Sequence, residues 1–217
     1  MTPDLFAADA PALQDEVLAP GAVVLRGFAS ARAAALKEDI ARIAAAAPFR
    51  HLVTPGGFRM SVAMTNCGPL GWVSDRRGYR YDPVDPDSGA RWPVLPESFR
   101  ALARDVAARA GYPGFAPDAC LINRYASGAR LSMHQDRDEN DLRAPIVSVS
   151  LGLPAVFLWG GDERADKARR VALHHGDVVV WGGPSRLRFH GVLALKDGDH
   201  PFAGACRINL TFRKARA

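Results

Sequence analysis

Three residues in the second half of the chain have types and spacing suited to binding a metal ion. His134 and Asp136 lie two positions apart in a strand-like run, so on a β-strand both side chains project from one face. His190 follows in a second strand-like run, RLRFHGVLAL. A lone histidine is more often structural, but two histidines and one carboxylate are the ligand set that binds non-haem Fe(II) and leaves positions open for O2 and substrate. The sequence therefore predicts an open iron site.

A row of polar side chains marks the last strand-like segment, RINLTFR. On a strand, Arg207, Asn209 and Arg213 share one face with Thr211, while the apolar residues occupy the other face. The segment CLINRY shows the same pattern, with Asn123 and Tyr125 on one face. These donors and positive charges suit a small dicarboxylate. A polar face that simply lies in water is the alternative.

Mostly β-strands must position these residues. We expect one helix that Ser30 caps and Pro48 ends, and a second helix that follows Pro96 and stops at Gly111. The predicted strands are 22–25, 59–64, 119–125, 131–136, 146–151, 155–159, 171–173, 177–181, 188–193 and 205–213. Short strands at even spacing favour a sandwich, jelly roll or barrel over a doubly wound sheet.

The segment 68–96 differs from the rest because it is rich in glycine, proline and aromatic residues. Its aromatic side chains are Trp72, Tyr79, Tyr81 and Trp92, and the pattern indicates that they are exposed. A long irregular segment in a compact domain is either disordered or functional. The aromatic content favours the functional alternative, a lid that covers a binding site.

Composition limits the classes that remain. The chain has 217 residues, 48% apolar and 24% charged, which predicts one globular domain. Its net charge of +5 comes from 24 Arg and 4 Lys against 23 acidic residues. That excess is compatible with nucleic-acid binding and equally with a bias in composition.

The sequence also argues against a membrane or secreted protein. The longest apolar stretch, 146–159, is broken by Ser, Gly and Pro and is too short to span a bilayer. The first residues are acidic where a signal peptide would be basic, so we expect a cytoplasmic protein. Cys67, Cys120 and Cys206 are an odd, widely spaced set, which predicts reduced and buried thiols.

Several blocks of the sequence resemble the AlkB family of Fe(II)- and 2-oxoglutarate-dependent DNA dealkylases, over about residues 49–213. They are VTPGGFRMSVAMTNCGPLGW, PDACLINRYASGARLSMHQDRDE, LRAPIVSVSLGLPA, HGDVVVWGGPSRLRFHGV and CRINLTFR. The resemblance implies a mainly β (α+β) fold, a double-stranded β-helix or jelly roll with supporting helices and a nucleotide-recognition lid. It implies one dioxygenase domain over 1–217, with an extension at 1–45, the lid at about 46–96 and the jelly-roll core at about 97–217.

The resemblance also implies roles for individual residues. Its metal ligands and catalytic residues are His134, Asp136 and His190. The residues implied to hold 2-oxoglutarate are Asn123, Tyr125, Arg207, Asn209 and Arg213, and those implied to contact the substrate are Trp72, Tyr79, Ser132, Asp138 and Arg164, with Arg137 beside them. For Asp138, a solvated carboxylate in the acidic run DRDEND is an equally good interpretation.

The implied reaction is oxidative demethylation of N-alkylated bases such as 1-methyladenine and 3-methylcytosine. Fe(II), 2-oxoglutarate and O2 would take part, with succinate, CO2 and formaldehyde as products. The expected partner is alkylated single- or double-stranded DNA, and RNA as well, with the enzyme a monomer and no membrane involved. The alternatives are a related oxygenase acting on RNA, protein or lipid, and a metal-binding jelly roll without activity.

Overall fold

The computed structural model describes residues 14–216, and these form thirteen β-strands and two α-helices. The helices are α1 (Ala33–Ala46) and α2 (Glu97–Arg109). The strands are β1 (Glu16–Ala19), β2 (Ala22–Leu25), β3 (Ala63–Cys67), β4 (Gly71–Asp75), β5 (Gly78–Asp82), β6 (Ala119–Tyr125), β7 (Leu131–His134), β8 (Ile146–Gly152), β9 (Ala155–Trp159), β10 (Arg169–Leu173), β11 (Val178–Trp181), β12 (His190–Val192) and β13 (Arg207–Arg213).

Two sheets carry the fold. The larger sheet has seven strands in the order β1-β2-β11-β8-β13-β6-β3, and the smaller has the order β10-β9-β12-β7. Side chains of both sheets meet in one buried cluster, in which Val179 and Trp181 of the larger sheet accompany Phe157 and Trp159 of the smaller. The mainly β jelly roll predicted from the sequence is therefore confirmed, and the space between its sheets is where a site can form.

The two helices support the outer face of the larger sheet. Leu36 and Ile40 of α1 and Leu102 of α2 share a buried cluster with alternate residues of β8, β11 and β13. Phe99 of α2 meets Phe212 of β13 edge to face, with ring centroids 5.7 Å apart. Burial of this apolar face turns the opposite face of the larger sheet toward the smaller sheet.

The alternation along β13 decides where its polar residues lie. Leu210 and Phe212 are fully buried under the helices, so Arg207 and Arg213 face the interior between the sheets. Only 2% of Arg207 and 6% of Arg213 is exposed. The polar row of β13 is therefore an internal wall, and the alternative of a solvated face is wrong.

Some predicted boundaries differ from those in the structure. The strand predicted at 59–64 is β3, Ala63–Cys67, and the strand predicted to reach Asp136 ends at His134. Ser30 does not cap α1: it begins a short 3-10 turn, Ser30–Arg32, and its hydroxyl donates to the carbonyl of His175 at 3.5 Å. The contact between Ser30 and the turn at Gly176 draws this hydroxyl away from the helix.

Inside the segment 68–96, which we expected to be irregular, β4 and β5 form an antiparallel hairpin of their own. Trp92 is buried, contrary to expectation, and its indole packs against Gly71, where a Cβ would lie 2.4 Å from the ring. The Trp92 Nε1 also donates to the carbonyl of Asp82 at 2.9 Å. These contacts fix the base of the β4–β5 hairpin, which forms a sheet separate from the two larger ones.

Two further expectations concern the thiols and membranes. The three cysteines are free, but only Cys67 and Cys120 are buried, and Cys206 is half-buried.

Among the described residues, no helix combines the length and apolar character needed to cross a bilayer. The first thirteen residues of the predicted extension lie outside the described part of the chain.

The packing of α2 on the sheet predicts the cost of a cavity there. Leu102→Ala should lower the free energy of unfolding by about 2–5 kcal/mol, because a fully buried leucine leaves a void that its neighbours fill only in part. Urea unfolding followed by tryptophan fluorescence measures this loss. The matched control is Leu142→Ala, at a leucine that is 38% exposed, for which we expect a cost below about 1 kcal/mol. Equal losses in the two variants would contradict the packing.

Candidate active site

Three candidate metal ligands meet at one end of the smaller sheet. His134 on β7 and His190 on β12 are cross-strand partners, and Asp136 follows β7 directly. Nε2 of His134 lies 3.6 Å from Oδ1 of Asp136, and Nε2 of His190 lies 3.8 Å from Oδ2. One ligand atom from each residue falls within 4.8 Å of the other two. The three side chains can therefore hold a single ion.

Hydrogen bonds orient both imidazole rings for metal binding. Nδ1 of His134 lies 2.9 Å from the carbonyl of Ser132, and Nδ1 of His190 lies 3.0 Å from the carbonyl of Arg188. A carbonyl only accepts, so Nδ1 must carry the proton, which leaves the Nε2 lone pair for the ion. Burial lowers the pKa of His190 to about 4, and His134 acts in the same direction. His190 is thus neutral near pH 7, as a ligand must be.

The carboxylate of Asp136 is held in its charged form. Arg213 donates to Oδ2 from Nε at 3.1 Å and from Nη2 at 2.8 Å. Burial opposes the charge, but Arg213 and the two histidines hold the pKa of Asp136 well below its usual range. Because both contacts use Oδ2, Oδ1 is left toward His134. Arg213, which we expected to hold 2-oxoglutarate, is thus engaged with Asp136.

Arg207 is the clearest anion-binding group of the cavity. It is 2% exposed, its guanidinium lies over the Tyr125 ring at 4.9 Å, and Nη2 donates to Ser150 Oγ at 2.9 Å. Its Nε and Nη1 have no partner, and no carboxylate pairs with it in the part of the chain that the structure describes. Burial lowers the pKa of Arg207, but an arginine stays charged. A buried, uncompensated cation of this kind fits the carboxylate of a bound ligand.

The two asparagines beside Arg207 differ in how many of their side-chain hydrogen bonds are made within the protein. Asn209 donates to Ser148 and to the carbonyl of Val149, and its Oδ1 accepts from Asn123 and Thr211. Asn123 has a buried Oδ1 without a partner. Both line the cavity with Arg207 and Tyr125. The donor set of this wall fits 2-oxoglutarate, and the free hydrogen-bonding capacity lies mainly on Arg207.

At the mouth of the cavity, the β4–β5 hairpin presents aromatic side chains. The Trp72 and Tyr79 rings stack with centroids 5.5 Å apart and planes 12° apart, and 48% of Tyr79 is exposed. Trp72 Nε1 donates to Asp138 Oδ2 at 2.9 Å. Asp138 is exposed, as the interpretation as a solvated turn carboxylate expects, and its carboxylate is also held beside the Trp72 indole.

The remaining predicted substrate contacts also line the cavity. Ser132 contributes its carbonyl to His134, and its own side chain is exposed. Arg164 donates from Nη1 to the carbonyl of Met133 at 2.5 Å and lies over the Phe189 ring at 5.3 Å. Arg137 is exposed at the same mouth. The structure thus brings every predicted site residue to one cavity of about 790 Å³.

Sequence reasoning missed several residues of this region. Glu139 and Arg186 are buried and form an ion pair at 2.9 Å behind Asp136. Glu139 lies in the acidic run DRDEND, where nothing in the pattern separates a buried carboxylate from solvated ones. Phe58, 76% exposed at the cavity mouth, follows a Pro-Gly-Gly turn, and that turn was the available signal.

Comparisons with known proteins agree with this geometry. A family model described as the 2OG-Fe(II) oxygenase superfamily matches residues 21–213. The chain is 61% identical over 212 residues to the "Alpha-ketoglutarate-dependent dioxygenase AlkB" of Salmonella typhimurium and of Escherichia coli, covering 98% of this chain and 97% of each relative. It is 35% identical to the "DNA N(6)-methyladenine demethylase ALKBH1C" of Arabidopsis thaliana, over 67% of this chain and 38% of that relative.

A solved structure matches the fold closely. "The structure of OsALKBH1" superposes with a TM-score of 0.82 at 31% identity and covers 93% of this chain and 100% of that one. The His–Asp–His cluster, the buried Arg207 and the matched family model agree on the same cofactors, Fe(II), 2-oxoglutarate and O2. The chain therefore belongs to the 2OG-Fe(II) oxygenase superfamily and is an Fe(II)- and 2-oxoglutarate-dependent dioxygenase similar to AlkB.

Proposed function

We propose that this dioxygenase removes N-linked methyl groups from damaged DNA bases of the 1-methyladenine and 3-methylcytosine type. One observation carries the proposal. A single cavity joins the metal cluster and the buried Arg207 at its inner end to Trp72, Tyr79 and Asp138 at its mouth. An oxidising centre reached past stacked aromatic rings and the Asp138 carboxylate suits a flat cationic ring. The similarity to AlkB and to a DNA demethylase supports the same substrate class.

Within this proposal, residues of the two sheets hold the reactants. His134, Asp136 and His190 would bind Fe(II), and Arg207 with Asn123 would hold a carboxylate of 2-oxoglutarate. When bound, Fe(II), 2-oxoglutarate and O2 supply the oxidation that hydroxylates the N-methyl carbon, which leaves as formaldehyde. Apolar residues of the cavity wall, Met64, Leu121, Phe157, Trp181 and Val192, exclude water from this end.

The mouth of the cavity selects the base. A methylated adenine or cytosine carries a positive charge and pairs poorly, so it leaves the helical stack at reduced cost. Trp72 and Tyr79 offer aromatic faces to the extruded ring. The Asp138 carboxylate, fixed beside Trp72, attracts a cationic ring and gains nothing from a neutral one. The charge of Asp138 thus adds to the preference for a methylated over a neutral base, which stacking alone would leave weak.

Three arginines at the same mouth suit the nucleic-acid backbone. Arg59, Arg130 and Arg137 are exposed, line the cavity and have no acidic partner among residues 14–216. Ser61 fixes the backbone of Arg130, since its hydroxyl donates to the Arg130 carbonyl at 2.9 Å and accepts from the Arg130 N–H at 3.0 Å. We propose that these guanidiniums contact phosphates. We propose action as a monomer, because the metal ligands, Arg207 and the aromatic mouth of one copy already share a single cavity.

The decisive experiment is mass spectrometry of a methylated oligonucleotide incubated with the protein, Fe(II), 2-oxoglutarate and ascorbate. We expect a loss of 14 Da per lesion, the mass difference between a methyl group and hydrogen, with one formaldehyde released. Single-stranded DNA, duplex DNA and RNA with the same lesion form parallel arms that rank the substrates. If the protein turned over 2-oxoglutarate but repaired the lesion in none of the three substrates, the proposed substrate class would be refuted.

Asp136→Asn should abolish formaldehyde release while the protein remains folded. The amide keeps the size of the side chain but loses the charge that the ion requires, and a neutral amide is a poor third ligand. Formaldehyde assays and circular dichroism together measure both parts. A variant that retains the rate of the unaltered enzyme would contradict the assignment of this ligand.

Arg207→Gln should raise the KM for 2-oxoglutarate by about 10- to 150-fold, because an ionic hydrogen bond of about 1.5–3 kcal/mol is lost. The KM for the oligonucleotide should stay within about twofold. The control is Arg169→Gln, which removes an arginine paired with Glu16 at the surface, and it should change neither constant. An unchanged KM for 2-oxoglutarate in Arg207→Gln would exclude Arg207 as its anchor.

Trp72→Ala should weaken binding of a methylated oligonucleotide by about 5- to 150-fold, the value of one lost base stack of about 1–3 kcal/mol. Trp72→Phe keeps an aromatic ring but loses the hydrogen bond to Asp138. Its affinity for the oligonucleotide should therefore lie between those of the unaltered protein and of Trp72→Ala. Fluorescence anisotropy measures affinity, and oxygen uptake without nucleic acid measures the intact oxidising centre. Equal loss in both assays would show a folding defect in place of a lost contact.

A further inference from the structure

A buried carboxylate lies behind the metal cluster and is not one of its ligands. Glu139 is 6% exposed and sits between two buried guanidiniums. Its Oε2 accepts from Arg186 Nη2 at 2.9 Å, and its Oε1 lies 3.3 Å from Arg213 Nε. The hydroxyl of Tyr81 donates to Oε1 at 2.5 Å. One buried negative charge therefore accepts hydrogen bonds from Arg186 and Tyr81 and forms an ion pair with Arg213.

Both guanidiniums reach from Glu139 to Asp136. Arg213 donates twice to the Asp136 side chain at Oδ2, and Arg186 donates from Nη1 to the Asp136 backbone carbonyl at 2.6 Å. Arg186 also donates from Nε to the carbonyl of Ala144 at 3.0 Å, which anchors it to the start of β8. The backbone and the side chain of Asp136 are thus both fixed by cations that rest on Glu139.

The tyrosine that bonds to Glu139 comes from a different part of the fold. Tyr81 lies on β5 directly opposite Trp72 on β4, and cross-strand partners project from the same face of a hairpin. Trp72 bonds to Asp138 and Tyr81 to Glu139, so this face of the hairpin rests on two consecutive acidic residues. The segment that begins with Asp136 is therefore held by the sheet on one side and by the hairpin on the other.

We propose that Glu139 is a positioning residue for Asp136, with Tyr81 as its support from the hairpin. Glu139 holds Arg213 and Arg186 in the arrangement that leaves Oδ1 of Asp136 free for the ion. Glu139 is not among the residues that line the cavity, so it acts through these two arginines. The proposal rests on the proposed role of Asp136 as a metal ligand and extends it to the charges that orient this ligand.

The test measures metal affinity without turnover, using Mn(II) as a redox-stable probe and the electron paramagnetic resonance signal of free Mn(II). Tyr81→Phe removes one hydroxyl from Glu139 and leaves Asp136 and both arginines in place. We expect its Mn(II) affinity to fall by about 3- to 10-fold, a part of the 10- to 100-fold that loss of an outer-shell partner costs. Tyr112→Phe is the matched control, since its hydroxyl donates to the Gly21 carbonyl, away from the metal cluster, and it should bind Mn(II) as the unaltered protein does.

Variants at position 139 extend the series. Glu139→Gln keeps the shape but leaves two buried guanidiniums short of a counter-charge, so we expect a loss of tenfold or more in Mn(II) affinity together with a lower Tm. Glu139→Asp keeps the charge and should recover part of the affinity. Because Glu139→Gln can fail to fold, Tyr81→Phe decides the outcome.

A purely structural role predicts a different pattern. It would lower the Tm of Tyr81→Phe equally with and without Mn(II), and the metal-induced rise in Tm would stay at its unaltered value. That result, or an unchanged affinity, would overturn the positioning role alone. If the unaltered protein itself failed to bind Mn(II), or if Asp136→Asn bound it equally well, the metal site and the proposed function would be refuted instead.

Discussion

The rest of the site depends on charge neutralisation between the two sheets. Arg213 and Asp136 are buried together, and a buried ion costs several kcal/mol unless an opposite charge and hydrogen bonds compensate it. Their pairing keeps the carboxylate ionised, directs one of its oxygens away from the arginine and places it beside the imidazoles of His134 and His190. Arg207, on the same strand, lacks such compensation and keeps Nε and Nη1 free for an anion, while Arg213 lines the same cavity already paired with Asp136.

Much of this arrangement could be predicted from the sequence because it depends on strand alternation. The period of two in β13 placed Arg207, Asn209 and Arg213 on one face. The apolar residues that alternate with them indicated which face the helices cover. The His–Asp spacing and the downstream histidine similarly predicted a cluster that the structure brings together. Where short-range periodicity determines the position of a side chain, reasoning from the sequence succeeded.

The errors arose where contacts distant in sequence determine the outcome. Trp92 is buried because it closes on Gly71, and Ser30 turns toward a loop that lies 145 residues further along the chain. Glu139 looks like its acidic neighbours in the sequence and differs because Arg186 reaches it from the turn between β11 and β12 and Arg213 from β13. The sequence also could not show that Arg213 pairs with Asp136 while Arg207 has no charged partner among the described residues, since both occupy equivalent positions in the alternation.

The alternation of β13 also limits how this enzyme can change over evolution. Its seven residues pair with β6 on one side and β8 on the other, so no edge is free to absorb a change in length. A single inserted or deleted codon would exchange the two faces of the strand, driving guanidinium groups into the hydrocarbon layer beneath the helices and phenylalanine into the cavity. New specificities are therefore accessible by substitution in this wall and by changes of length only in the loops and hairpin around its mouth.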